Sequence, residues 1–173
     1  GLTVLREIHK LAPNTLIGAL TIDDTDDTRS VFGDFQQFSK HKNLALYVAE
    51  DRKASEEIIY KLKPDLCIVV GWYWLISKKT LDSTPFGFIG IHNSLLPKYR
   101  GGSPLIWPIL RNEKRVGFSF FSFTEGMDDG DIWAQGSVDV DHQDYISDIL
   151  NKLEDKTIQV LQNIYPKVLS RSI

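Results

Sequence analysis

His92 and Asp128 are the side chains best suited to move a proton. His92 ends the apolar run Phe86 to Ile91 and opens the turn Asn93-Ser94-Leu95-Leu96-Pro97-Lys98-Tyr99-Arg100-Gly101. Asp128 lies in Gly126-Met127-Asp128-Asp129-Gly130-Asp131, after the apolar run Val116 to Phe123. A histidine and a carboxylate are thus each presented where a strand stops, the usual place for ligands in α/β sheets. A histidine titrating near neutrality can donate to a developing oxyanion or handle the proton of an attacking amine, and a nearby carboxylate can orient it. Each residue also has a plainer reading. His92 alone fits a hydrogen-bonded structural histidine, and Asp128, among Glu125, Asp129 and Asp131, fits a solvated acidic turn.

Positioning these groups calls for alternating helices and strands. Leu2, Leu5, Ile8 and Leu11 mark one helical face over residues 1–11, with Pro13 just beyond. Strands are expected at residues 15–22, 44–48 and 66–70, with helices around 31–41 and at 55–63, the last stopped by Pro64. The unbroken apolar run Leu66 to Val70 suits a strand covered on both faces, as in parallel sheets. Residues 86–91 lead into His92, a short helix follows at 103–110, and residues 116–123 and 132–140 read as an antiparallel edge pair. Ile146, Ile149, Leu150, Leu153, Val160, Leu161 and Ile164 keep the spacing of a long amphipathic helix. The pattern predicts an α/β, Rossmann-like three-layer fold with a mostly parallel central sheet, helices on both faces and that antiparallel edge pair. A domain of this kind that opens on a helix lacks its first strand, so this strand is expected to be missing from the chain and not folded within residues 1–12.

Composition narrows the partners. The 173 residues, 42% hydrophobic and 25% charged, suit one domain over residues 1–173. A net charge of −3 argues against nucleic acid as the main partner. The single cysteine, Cys67, sits in an apolar run and cannot form an internal disulfide, which is consistent with a cytoplasmic protein. The longest apolar stretch falls far short of the roughly 20 residues of a membrane helix, so no membrane partner is expected. Asp23, Asp24, Asp26 and Asp27 lack the spacing of a calcium loop and read as a solvated turn.

Three segments, Gly71-Trp72-Tyr73-Trp74-Leu75-Ile76, Ser94 to Gly102, and Gly126 to Gly130, occur in the order found in the tetrahydrofolate-dependent formyltransferases. The chain resembles that family, which carries Asn-x-His-x-Ser-Leu-Leu-Pro on a strand and Gly-x-Asp-x-Gly in a later loop. The resemblance covers about residues 66–135. It implies formyl transfer from 10-formyltetrahydrofolate, the formyl donor, to a primary amine, with no metal and no covalent nucleophile. His92 and Asp128 take the catalytic positions. Trp74, Leu75 and Ile76 match the segment lining the pterin pocket, and Thr124, Gly126 and Met127 lie in the loop that folds over it. Ser94, Lys98, Tyr99 and Arg100 match the acceptor side, in a version similar to that of the amino-sugar enzymes.

A nucleotide-linked amino sugar is therefore the expected acceptor. Methionyl-tRNA and glycinamide ribonucleotide are alternatives in the same class, and a non-catalytic folate- or nucleotide-sugar-binding module is the alternative outside it. Pairing into a homodimer is left open. One departure matters: Gly90 stands where the family has its asparagine. In a strand Gly90 and His92 share a face, so the glycine is expected to leave a gap beside the ring and remove one oxyanion donor. Asn93 turning back, or a water in the gap, is expected to replace it.

Overall fold

A computed structural model describes residues 1–170. Helix α1 (Leu2–Leu11) buries Val4, Leu5 and Ile8 and ends in a basic turn, His9 and Lys10, which suits the negative end of the helix dipole. Strand β1 (Ala19–Thr21) leads to α2 (Phe32–Lys42), which closes on Asn43 in the left-handed region. After β2 (Leu46–Val48), Asp51 starts α3 (Arg52–Leu62) by accepting the Ala54 N–H at 2.7 Å. This cap explains why the helix begins ahead of the expected residue 55. Strand β3 (Cys67–Val70) is followed by a short helix, α4 (Lys78–Asp82), which the sequence pattern did not reveal and which Ser77 caps through its hydroxyl.

Strand β4 (Phe88–His92) precedes α5 (Ile106–Leu110). That helix is shorter than the expected 103–110 because Ser103 sits at φ 55, outside the helical region. Strands β5 (Arg115–Ser122) and β6 (Ile132–Asp139) and the long helix α6 (Ile146–Leu169) complete the fold.

The strands form two sheets, β1-β2 and β3-β4-β5-β6. Pairing is parallel in β1-β2 and β3-β4, and antiparallel in β4-β5 and β5-β6. The expected antiparallel edge pair is present, but antiparallel pairing also reaches one strand further inward. The connection from β4 to β5, residues 93–114, carries only the five residues of α5 as helix, so it is not the helical crossover usual between parallel strands. Strand β1 is much shorter than the expected residues 15–22, because it has a ladder partner on one side only.

Strand β5 is covered on both faces from Val116 to Phe121. Phe118 and Phe120, edge to face at 5.9 Å, belong to the core with Ile149, Leu153 and Leu161 of α6. Their neighbours Ser119 and Phe121 point to the opposite face, toward His92.

Candidate active site

Strand β4 delivers His92 at its carboxyl end, and the chain folds back over the ring. The Nε2 atom lies 2.8 Å from the Tyr99 carbonyl oxygen. A carbonyl only accepts, so Nε2 carries a proton and donates it to this bond. That leaves Nδ1 directed at Asp128, whose Oδ2 is 3.5 Å away. The two side chains are only 11% and 20% exposed. Asp128 reaches the ring from the loop between β5 and β6, at φ 50. Its Oδ2 also accepts the Gly101 N–H at 2.8 Å. One carboxylate oxygen therefore ties the imidazole to the loop that covers it.

A buried polar network anchors that loop. The register sets Ser119 opposite both His92 and Gln135. The Ser119 hydroxyl donates to the Ser94 carbonyl at 2.7 Å and accepts from the Leu96 N–H at 3.0 Å and from Gln135 Nε2 at 2.8 Å. Every hydrogen-bonding position of this fully buried hydroxyl is used. Gln135 Nε2 donates again to the Leu96 carbonyl at 3.0 Å. The Ser94 hydroxyl, expected on the acceptor side, is buried and donates to the Lys98 carbonyl at 2.6 Å, so it is committed to the shape of the loop. Tyr99 stands at φ 56, its hydroxyl donates to Glu113, and the Arg111 guanidinium lies 5.3 Å from its ring centre. The bond to Glu113, ahead of burial, pushes the phenol above its ordinary pKa.

The gap expected at Gly90 is filled. A Cβ there would lie 2.2 Å from Phe123 Cε1 and 2.6 Å from Phe121 Cε1. The two rings pack 5.2 Å apart, and Phe121 stands edge-on to the imidazole at 6.3 Å. A water has neither room nor polar partners in that position. Asn93 is exposed, and its side chain makes no hydrogen bond among the described residues.

The remaining expected residues do not gather at one place. Thr124 and Gly126 line an open cleft of about 490 Å³ with Phe123, Lys78 and Leu81. Met127 is 58% exposed and lies against Gly101, its Sδ 3.0 Å from where a Cβ would stand. Lys98 and Arg100 are exposed and form no ion pair among the described residues. Trp74 packs edge-on against Trp72 at 5.3 Å, and Leu75 is 62% exposed. Ile76 instead lines a separate cavity between β1 and β3. Three participants carried no signal in residue type: Tyr99 acts through its carbonyl, Gly101 through its N–H and Ser119 through cross-strand register. Only strand parity, which pairs Ser119 with His92 and Gln135, would have pointed to the last.

An α/β sheet with a histidine and a carboxylate joined at the carboxyl end of a strand defines the general class of site. The particular family follows from a direct match: residues 26–168 fit the formyl transferase family, and the chain belongs to it. Among similar sequences, the methionyl-tRNA formyltransferase of Ehrlichia ruminantium (strain Gardel) is 36% identical over 127 residues, 70% of this chain and 42% of that protein. That of Bacillus pumilus (strain SAFR-032) is 35% identical over 126 residues, 72% of this chain and 40% of that protein. The chain thus spans about two fifths of the length of these relatives. A sugar N-formyltransferase from Shewanella sp FDAARGOS_354 shares the fold at TM-score 0.74 and 16% identity, covering 99% of this chain and 68% of that one. Glycinamide ribonucleotide transformylase 1 from Symbiobacterium toebii does so at TM-score 0.73 and 21% identity, covering 96% and 80%.

Proposed function

We propose that the chain carries a site for transferring a formyl group from 10-formyltetrahydrofolate to a primary amine. The observation that carries this reading is the single Asp128 oxygen held between His92 Nδ1 and the Gly101 N–H. Attack of a neutral amine on the formyl carbon places negative charge on the formyl oxygen and releases a proton. His92 either turns its Nε2–H from the Tyr99 carbonyl to the oxyanion or takes up the released proton at Nδ1, where Asp128 balances the charge it gains. With the Gly90 face closed by Phe121 and Phe123, Asn93 is the amide that supplies a further donor. The cleft beside Thr124 and Gly126 has the volume of a small-molecule pocket and suits a flat pterin against Phe123. Ser94 shapes the loop, and no metal is invoked.

For the acceptor, we favour a nucleotide-linked amino sugar. Lys98 and Arg100, exposed beside the site and unpaired among the described residues, suit the phosphates of such a molecule. The methionyl-tRNA relatives favour a second reading, in which the same cations meet a tRNA phosphate. Incubation with 10-formyltetrahydrofolate and a panel of nucleotide-linked amino sugars, glycinamide ribonucleotide and methionyl-tRNA separates the acceptors. Formylation of the amino sugars is the expected outcome. Folate binding with no transfer to any amine would instead mark a binding module.

A further inference from the structure

Helix α4 is held in place by a carboxylate of α3. Residues 71–77 join β3 to α4 without helix or strand, so the sheet does not dictate where α4 lies. Five residues are also too few for a helix to sustain itself. The anchor is Glu56, whose side chain is 16% exposed. Its Oε1 accepts the Ser77 N–H at 3.0 Å, and its Oε2 accepts a bond from the Ser77 hydroxyl at 2.8 Å. Ser77 Oγ in turn accepts the Thr80 N–H at 3.3 Å, which closes the first turn of α4.

Tyr60 adds a second grip. It stands four residues after Glu56, on the same face of α3. The fully buried Thr80 hydroxyl donates to the Tyr60 hydroxyl oxygen at 3.0 Å, and the Lys79 ammonium lies 5.1 Å from the Tyr60 ring centre. Burial opposes the charge on Glu56, but the bonds from Ser77 and Arg52 outweigh it and hold the carboxyl below its ordinary pKa. Bonds to an ionised acceptor are the stronger kind, and removing one partner leaves the other unsatisfied.

While Lys79 and Thr80 face α3, the remaining positions of α4 face the cleft of about 490 Å³. Lys78, Leu81 and Asp82 form one wall, opposite Thr124 and Gly126 of the loop after β5. We propose that Glu56 is a positioning residue for the formyl donor: by fixing Ser77 it places the α4 wall and so sets the width of the cleft. The proposal rests on reading that cleft as the pterin pocket. Glu56 lies behind the wall and touches no reacting group, so its removal weakens the binding of the folate and leaves the chemical step alone.

Titration calorimetry with 10-formyltetrahydrofolate tests this on Glu56→Ala, Ser77→Ala, the double variant and Lys53→Ala, which breaks the exposed Lys53–Glu57 pair on the same helix. Each of the first two should weaken binding roughly tenfold, the double variant no further, and Lys53→Ala should leave it unchanged. Glu56→Gln, which keeps an oxygen for the Ser77 N–H, should fall between the native chain and Glu56→Ala. In formyl transfer, kcat should stay within about twofold while KM for the folate rises. If Glu56→Ala does not fold, Ser77→Ala decides. Native affinity in these variants with only a lowered thermal midpoint, losses that add in the double variant, or a fall in kcat at native KM overturns the inference. Leu81→Trp, which fills the cleft, checks the underlying reading separately. Native affinity in Leu81→Trp removes the cleft as the pterin pocket, and the role of Glu56 with it. Weakened binding there beside native binding in the Glu56 and Ser77 variants removes the role of Glu56 alone.

Discussion

Asp128 gives one oxygen to two partners, and this sharing sets what its removal should do. Asp128→Asn retains the shape but can direct an amide N–H toward Nδ1, and it cannot balance a charge on the ring. Turnover should fall roughly 100- to 10,000-fold with the fold intact, and His92→Gln should fall as far, both measured as formyl transfer from 10-formyltetrahydrofolate. Asn93→Ala separates the candidate donors: a loss of roughly 100-fold is expected, whereas unchanged turnover leaves His92 alone at the oxyanion. Cys67 allows a test away from the site. Burial pushes its thiol from 9.0 up to about 12. An acid whose folded pKa is raised stabilises the fold below its unfolded pKa, and that contribution is lost as pH rises from about 9 toward 12. Between pH 8 and 11 the urea midpoint of the native chain should fall more steeply than that of Cys67→Ala.

Among the elements, β4 and β5 are matched at Gly90. Because Phe123 and Phe121 occupy the position of a Gly90 Cβ, restoring an asparagine there does not restore a donor. Gly90→Asn should destabilise the fold by about 1–3 kcal/mol, as overpacking does, read as a lowered urea midpoint with an unchanged slope. Adding Phe123→Ala should recover part of that loss, because the closest clash is with the Phe123 ring. Element types were largely legible in the sequence, since apolar spacing and turn residues are local. Lengths were less so: the Asp51 cap lengthened α3, Ser103 shortened α5, and pairing on one side only shortened β1.

For the whole molecule, the break between β1-β2 and the four-stranded sheet should govern motion. Strand β5 is enclosed by two neighbours and α6, whereas β1 has a single partner strand. Native-state hydrogen exchange should therefore show Ala19 and Thr21 opening at lower free energy than Phe118 to Phe121. Equal protection in both groups would mean that the two sheets unfold as one unit.

Residue type and order alone pointed to the family and to His92 and Asp128 as candidate site residues, because a strand end followed by Ser94-Leu95-Leu96-Pro97 and a glycine-bracketed aspartate are local signals. Only the tertiary structure decided how the space at Gly90 is filled, because Phe121 of the neighbouring strand β5 and Phe123 just beyond its end occupy it. The place of Ser94 was decided in the same way, its carbonyl accepting from Ser119 through register and its hydroxyl donating to the Lys98 carbonyl. Packing and cross-strand pairing depend on residues distant in the chain, so sequence spacing names the candidate groups and the folded chain determines what surrounds them.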